Sequence, residues 1–307
     1  MTFISTASRC SAFTLLVCLA GCDKSQPETQ SQPAAPSAAA ATQPAVAKVE
    51  GPVRASGSSA LQPLVNAAKE KFEGAHSGSS IEVSAGGSKK GLADVAAGAV
   101  QIGNSDIFAP EDLKGKLVDH KVAVVGFAAM ANKGPFDEKI SALTMEQLSK
   151  IFQGQIKDWS EVGGGKQPIV VINRAPASGT RAVFGSIVLG GDKFVESQTE
   201  DNSGALVTKL KQTKGAISYL ALSFKDPELL TLGIKAEGKV IDSSDDNIKA
   251  GLYPIWSYEH MYTNGPPTGL AQTFLTYMLA PEFQRNVLPQ VKGFIPVIDM
   301  KIQREHD

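Results

Sequence analysis

The feature that most constrains the fold is an alternation of strand-like and helix-like segments that begins near residue 51. The stretch "KVAVVGFAAMAN" is an almost continuous apolar run, which is typical of a strand buried on both faces. In "ALQPLVNAAKEKFEGA" the apolar residues instead recur at helical spacing, and one face of the predicted helix carries Leu61, Leu64, Val65, Ala68 and Phe72. This alternation predicts an α/β protein with helices that follow strands of a sheet.

Further elements continue the same pattern. Strands are predicted at "PVRASG", "SIEVSAGG", "QIGNSD", "PIVVINR" and "PIWSYEHMYT". Helices are predicted at "KKGLADVAAGAV", at "TMEQLSKIFQG" from Thr144, near "SGTRAVFGSIV", and at "TGLAQTFLTYMLAPEFQRNVL", which Pro281 interrupts. A body of roughly 255 residues of this kind fits one large or two smaller α/β units.

Four turns that follow predicted strands are rich in glycine and in small residues with a hydroxyl group, and two of them also carry a charged residue. They contain Ser56 to Ser59, then Ser88, then Ser105 with Asp106, and finally Arg174 with Ser178, Gly179 and Thr180. A helix N-terminus presents unpaired N–H groups and a partial positive charge, so it favours anions. A serine before a helix is commonly only an N-cap, so one such turn is weak evidence. Three Ser/Gly helix starts together with an arginine favour an anion-binding site.

Other chemistries have less support in the sequence. The four histidines form no pair with metal-ligand spacing, which disfavours a metal site: His76, His120, His260 and His306. Ser178 lacks the G-x-S-x-G nucleophile elbow and has no evident histidine base, which disfavours nucleophilic catalysis.

The first 22 residues have the pattern of a signal peptide. Arg9 supplies a charge, and "FTLLVCLAG" is an apolar run too short to span a bilayer. "LAGC" resembles the signal box of bacterial lipoproteins, in which the cysteine, here Cys22, is lipidated; an ordinary cleaved secretory signal is the alternative. Cys10 and Cys18 lie within the signal, so the mature chain would keep no thiol for a disulfide. Residues 23–50 are rich in Gln, Pro, Ala and Ser, which predicts a disordered tether.

Six segments of the body resemble one known family. In the family's order these are "GSSALQPL", "GGSKKGL", "IGNSDI", "LTMEQLSKIFQGQIKDWSEV", "PIVVINRAPASGT" and "GFIPV". The chain from about residue 51 to 300 thereby resembles the periplasmic phosphate-binding proteins of bacterial ABC phosphate importers. The pattern R-x-x-x-S-G-T, from Arg174 to Thr180, is a specific signal in that context, whereas the glycine-serine turns alone would not be.

The resemblance implies a type II periplasmic-binding-protein fold. Each of two lobes would contain a mostly parallel sheet flanked by helices, and two crossover strands would join the lobes. Residues 51–127 and 254–307 would form lobe I, and residues 128–253 would form lobe II. The implied function is high-affinity binding of inorganic phosphate outside the cytoplasmic membrane, without a metal or cofactor, and delivery to the subunits of an ABC permease.

The family's ligand-binding positions carry over by motif. They correspond here to Ser58, Ser59, Ala60, Ser88, Asp106, Arg174, Ser178, Gly179 and Thr180. Three departures from a common form of the pattern stand out. Ala60 replaces a bulkier residue, and Lys89 and Lys90 stand where small residues often follow Ser88. Pro176 stands where an acidic residue can pair with the arginine, so Arg174 is expected to be freer for the ligand or paired elsewhere.

An aspartate in an anion site has a physical explanation. Phosphate near neutral pH keeps a proton that it can donate to Asp106, whereas sulfate has none, so sulfate would leave a buried acceptor unpaired beside a second anion. Discrimination would then come from a penalty on the wrong anion. Three alternatives stay open: a site for sulfate or molybdate, a phosphate sensor without transport, and a phosphoesterase that uses Ser178.

The remaining expectations concern location and assembly. A lipid on Cys22 would anchor the protein to the membrane at the cell surface or in the periplasm. Asp23 after that cysteine resembles the inner-membrane retention signal of Gram-negative lipoproteins. We expect a monomer, and we expect no nucleic-acid partner.

Overall fold

The structure is a computed structural model that describes residues 52–134 and 140–305. The predictions of a signal peptide, of a lipidated Cys22 and of a tether fall on residues 1–50, which lie outside the described residues. No helix in the described ranges has both the length and the apolar character needed to cross a membrane.

The strands of the described part are short, apart from one. In chain order they are β1 (Val53–Gly57), β2 (Ile81–Ala85), β3 (Ile102–Ser105), β4 (Leu117–Asn132), β5 (Ala142–Leu143), β6 (Val170–Val171), β7 (Asn173–Arg174), β8 (Thr199–Glu200), β9 (Ala216–Ala221), β10 (Leu229–Thr231), β11 (Gly233–Ala236), β12 (Lys239–Ile241), β13 (Trp256–Asn264) and β14 (Phe294–Ile295).

Helices separate most of these strands. They are α1 (Gln62–Ala75), α2 (Ser88–Ala96), α3 (Met145–Phe152), α4 (Gly179–Phe184), α5 (Ser203–Gln212), α6 (Asp245–Lys249), α7 (Gly269–Leu279) and α8 (Pro281–Asn286). α1 buries the predicted apolar face, including Leu64, Val65 and Phe72. Thr144 is the N-cap of α3, in line with the predicted helix start, and the Thr144 side chain and Gln147 form a reciprocal capping box.

The main sheet combines parallel pairs at both ends with antiparallel pairs at its centre. Its strand order is β2-β1-β3-β13-β4-β9-β6, and β10 and β14 also pair with β4. β1 is parallel to β2 and β3, and β6 is parallel to β9. Since the carboxyl ends of parallel strands meet at one edge of a sheet, the turns after β1, β2 and β3 converge there.

The long strand β4 connects the two ends of this sheet. Residues 117–126 pair with β13, and residues 127–131 pair with β9. Every residue from 122 to 131 is buried, which confirms the prediction that this apolar run is covered on both faces. β4 also extends four residues before the predicted start, because the register with β13 continues to Leu117.

One predicted element was wrong in detail. "PIVVINR" was predicted as one buried strand, but it contains two, and β6 belongs to the main sheet while β7 pairs only with β8. The residues of β6 are only partly buried. The helix predicted near "SGTRAVFGSIV" is present as α4 followed by one π-helical turn, Gly185–Leu189. Pro281 separates α7 from α8, as predicted.

Candidate anion-binding site

The turn between β1 and α1 brings two serines into the interior. Ser58 and Ser59 are both buried. The Ser58 Oγ accepts hydrogen bonds from the backbone N–H groups of Ala60 and Leu61 at 3.0 and 3.2 Å. The Ser58 N–H donates to the carbonyl of Asn104 at 2.9 Å, which fixes this turn to the end of β3. The backbone N–H of Ala60, a predicted ligand contact, is therefore engaged by Ser58 in this structure.

Ser88 and Asp106 come together at the ends of β2 and β3. The Asp106 backbone N–H donates to the Ser88 Oγ at 2.9 Å. Asp106 is 1% exposed, and its Oδ2 accepts a hydrogen bond from the Thr180 hydroxyl at 2.9 Å. The Ser257 hydroxyl on β13 donates to the Asp106 carbonyl at 2.8 Å, so both the backbone and the side chain of Asp106 are held.

The N-terminus of α4 lies directly against this group. The Ser178 Oγ caps the helix by accepting the Arg181 N–H at 3.2 Å. A Cβ atom on Gly179 would lie 2.1 Å from the Ser88 Oγ, so only glycine allows this approach. The backbone N–H of Lys89 also donates to the carbonyl of Ala177 at 3.1 Å, which joins the start of α2 to the turn before α4.

Arg174 supplies the positive charge of the site. Its guanidinium is buried and donates four hydrogen bonds of 3.1–3.2 Å to neutral oxygens: the hydroxyls of Ser59 and Ser203 and the carbonyls of Glu200 and Asp201. Burial lowers the pKa of Arg174, and the charge of Asp106 opposes that shift. Arginine nevertheless stays cationic in proteins. Pro176 stands where an acidic residue can pair with the arginine, and in this structure neutral oxygens take the place of that carboxylate beside Arg174.

Ser203 is a site residue that was not predicted. It begins α5 and is fully buried, and its Oγ lies 3.1 Å from the Ser59 Oγ as well as next to Arg174. Its backbone N–H donates to the Ser59 Oγ at 3.2 Å. The sequence "DNSG" before a helix, with Asn202 as N-cap, was the available signal, and it has the same Ser-Gly character as the other turns.

Glu259 was also not predicted, and it lies behind Asp106. It is fully buried in the middle of β13. Burial, followed by the negative charge of Asp106, raises the pKa of Glu259 well above its ordinary value of 4.5. In the sequence, "SYEHMY" shows only an acidic residue in an apolar strand, and nothing there indicates that Asp106 is its neighbour.

The two lysines after Ser88 differ in environment. Lys90 is more than half exposed and forms an ion pair with Asp94, one helical turn away, at 2.6 Å. Lys89 lines a small cavity together with Pro176, Arg181 and Asp192. Lys89 is therefore the member of the pair that borders the contact between α2 and α4.

The hydroxyl groups of the site are arranged as donors. The oxygens of Ser58, Ser88 and Ser178 each accept a backbone N–H, so their single protons can be donated to a ligand. The Ser59 Oγ also accepts a backbone N–H, and it lies within hydrogen-bond distance of the Ser203 Oγ. Together with a buried guanidinium these groups form a set of donors with one acceptor, Asp106. Such a set suits a tetrahedral oxyanion that keeps one proton.

The other chemistries considered from the sequence gain no support here. Each of the three described histidines has a hydrogen-bond partner of its own: His76 bonds the Phe72 carbonyl, His120 the Thr263 hydroxyl and His260 the Asp119 carboxylate. The Ser178 hydroxyl caps a helix rather than pairing with a base. Within residues 52–134 and 140–305, no cluster of three or more His, Cys, Asp or Glu could hold a metal ion.

Comparison with known proteins places this geometry in a family. A family model described as the PBP superfamily domain matches residues 33–282. The phosphate-binding protein PstS of Bacillus subtilis (strain 168) is 45% identical over 266 residues, which cover 84% of this chain and 85% of that protein. The chain belongs to the PstS family. Staphylococcus aureus PstS is a more distant relative, at 26% identity over 70% of this chain and 69% of that protein.

Solved structures agree with this assignment. A phosphate ABC transporter substrate-binding protein from Clostridium perfringens, solved with bound phosphate, matches with a TM-score of 0.74 and 25% identity, over 80% of this chain and all of that one. An ABC-type phosphate transport receptor from Vibrio cholerae shares the fold, with a TM-score of 0.63 and 21% identity over 80% of this chain and all of that one. The predicted type II periplasmic-binding-protein fold of this PstS family member is thereby confirmed, and the relatives of known name are binding proteins.

Proposed function

We propose that this protein binds inorganic phosphate at the site formed by the β1, β2 and β3 turns and the starts of α4 and α5. The observation that carries the proposal is the position of Asp106, one buried carboxylate among hydroxyl donors and a guanidinium. The contacting residues would be Ser58, Ser59, Ala60, Ser88, Asp106, Arg174, Ser178, Gly179 and Thr180, joined by Ser203. The relatives named for phosphate binding support the same ligand.

The energetics favour phosphate over a fully deprotonated oxyanion. Phosphate would donate its proton to Asp106 and would accept hydrogen bonds from Arg174 and the serines. Sulfate would leave the Asp106 carboxylate without that partner, which costs about 1–3 kcal/mol, or more for a charged group. Repulsion between the two anions adds to this cost in a poorly solvated site.

The proposed lobes are residues 51–127 with 254–307, and residues 128–253. Two hydrogen bonds support boundaries at these points. The Phe127 N–H donates to the Ile255 carbonyl at 2.8 Å, and the Tyr253 hydroxyl donates to the Phe127 carbonyl at 2.9 Å. The two crossover segments therefore lie side by side, where small changes in backbone angle can act as a hinge.

The binding protein would act outside the cytoplasmic membrane as a monomer and would deliver phosphate to an ABC permease. A lipid on Cys22 would anchor it, with residues 23–50 as the tether. Metabolic labelling with a radioactive fatty acid should mark the wild type and not Cys22→Ala. Equal labelling of both proteins would exclude that anchor.

Calorimetric titration with phosphate, arsenate, sulfate and molybdate tests the ligand. We expect phosphate to bind with micromolar or better affinity, about −8 kcal/mol or stronger. Arsenate should compete, because it is protonated similarly, and sulfate and molybdate should bind much more weakly. Sulfate binding as tight as phosphate binding would overturn the proposal. A chromogenic phosphate ester should not be turned over, because the Ser178 hydroxyl caps α4 instead of pairing with a base.

A further inference from the structure

Glu259 is a buried acid that the phosphate site, as described above, does not use. It lies on β13, two residues from Ser257, so the two side chains project from the same face of the strand. Ser257 already holds the Asp106 backbone carbonyl at 2.8 Å. Ser257 thus contacts the backbone of Asp106, and Glu259, on the same face of β13, interacts with the Asp106 carboxylate.

Three polar atoms at this contact have no hydrogen-bond partner elsewhere in the described part of the chain. Among the described residues, the Asp106 Oδ1 and both Glu259 carboxyl oxygens are buried without a hydrogen-bond partner of regular geometry. Buried polar atoms of this kind are rare in native proteins and call for an explanation. Ionising two neighbouring buried carboxyl groups costs free energy, because their negative charges repel in a poorly solvated environment. A single proton shared by the pair removes one of the charges and provides a hydrogen-bond donor.

The surrounding charges indicate which group holds the proton. Asp106 has the cation Arg174 as a neighbouring charge, whereas the charged group that acts on Glu259 is Asp106 itself. His260, the next residue along β13, is engaged with Asp119 at 2.7 Å. The Asp106 carboxylate has enough lone pairs to accept from Thr180, from Glu259 and from a ligand O–H at the same time.

We propose that Glu259 is protonated in the folded protein and donates a hydrogen bond to Asp106, so that it positions this carboxylate to accept the proton of the bound phosphate. Glu259 is a positioning residue, since it acts on the ligand through Asp106. It also keeps the second carboxyl group neutral, so that the incoming anion meets one negative charge instead of two. This inference rests on the proposed phosphate site.

Three variants separate hydrogen-bond donation from a structural role. Glu259→Met removes the donor and should weaken phosphate binding by about 10- to 100-fold, as expected for a lost hydrogen bond to a charged group. It should also reduce the preference for phosphate over sulfate. Glu259→Gln retains an N–H donor and should recover most of this loss. Ser218→Ala, which alters another buried and unpartnered polar side chain in the same sheet, is the control and should match the wild type.

A double-mutant cycle tests whether the effect passes through Asp106. In an Asp106→Asn background, Glu259→Met should cause little further loss of phosphate affinity. Full loss in that background, or equal affinity of Glu259→Met and the wild type, would overturn the inference.

If Glu259→Met does not fold, infrared spectroscopy of the folded wild type at neutral pH should show a carboxylic-acid C=O band that Glu259→Gln lacks; absence of that band would also overturn the inference. A wild type that fails to bind phosphate would refute the proposed function instead.

Discussion

At the scale of single residues, the site is defined by a few buried polar groups that hold each other in place. Arg174 is among the largest side chains that the described part of the fold buries completely, and its charge is balanced by hydroxyl and carbonyl dipoles as well as by the more distant charge of Asp106. A cation surrounded by neutral acceptors is well placed to exchange some of these partners for an anion, because a charge-assisted hydrogen bond is stronger than a neutral one.

Arg174→Ala should lose about 2–5 kcal/mol of phosphate binding free energy, the range for truncating one partner of a buried charge pair. The fold should survive, because the remaining contacts of this region are made by backbone and hydroxyl groups. Calorimetry measures the affinity, and circular dichroism checks the fold. Arg54→Ala, at an exposed position of β1, is the control. Near-native affinity of Arg174→Ala would show that the arginine is misassigned.

Glu259 makes a prediction about stability and pH. Because its pKa is raised in the folded protein, the folded state holds this proton more tightly than the unfolded chain does. The free energy of unfolding should therefore fall as the pH rises above the ordinary value of 4.5, by at most about 1.4 kcal/mol per pH unit, until the folded pKa is reached. The Glu259→Gln variant has no titrating group at this position, so its stability should lack this pH dependence.

Urea denaturation of the wild type and of Glu259→Gln from about pH 4 to about pH 8, a range that starts near the ordinary pKa of glutamate and extends above it, measures this difference. The stability of Glu259→Gln relative to the wild type should increase with pH. Parallel curves for the two proteins would contradict a proton on Glu259.

At the scale of elements, the site depends on how closely α2 and α4 approach. Gly87 has a φ of 86°, and a Cβ atom there would lie 2.5 Å from the Ala177 carbonyl oxygen. Gly179 makes the matching approach to Ser88 from the other side. Two glycines thus allow the turns after β2 and β7 to pack closely, Gly87 against the backbone of Ala177 and Gly179 against the side chain of Ser88.

Gly179→Ala should weaken phosphate binding, because its Cβ would collide with the Ser88 Oγ and force α4 away from Asp106. We expect a loss of about 1–3 kcal/mol, the usual cost of overpacking a well-packed contact. Gly74→Ala, in α1, is the matched control, since a Cβ there meets nothing within 4 Å. Calorimetry should show a loss for the first variant and none for the second; equal affinity of both would contradict the close contact.

Local patterns were sufficient to predict the elements before the first three turns, together with α3, α4, β13, α7 and α8. No element was predicted between residues 190 and 253, where β8 to β12, α5 and α6 lie. α1 and β4 are set by their own apolar spacing, and α3 is set by a capping box within four residues. The division of "PIVVINR" was not predictable, because β6 and β7 are distinguished only by partners far along the chain. Ser203 and Glu259 were missed for the same reason: each becomes a site residue through a neighbour more than 100 positions away.

At the scale of the whole molecule, the site joins segments from both proposed lobes. Ser59, Ser88 and Asp106 come from one side, and Arg174, Thr180 and Ser203 come from the other. A ligand that bridges them would stabilise the closed arrangement relative to an open one. Small-angle scattering should accordingly show a smaller radius of gyration when phosphate is added. An unchanged profile, with binding shown independently, would count against hinged lobes.

The most direct test of the central claim is the ratio of phosphate to sulfate affinity in the wild type and in Asp106→Asn, measured by calorimetry at neutral pH. The aspartate is proposed to accept the ligand's proton and to penalise an anion without one. The wild type should prefer phosphate, and Asp106→Asn should lose about 10- to 100-fold of that preference, the equivalent of one hydrogen bond to a charged group. An unchanged ratio in Asp106→Asn would contradict the account.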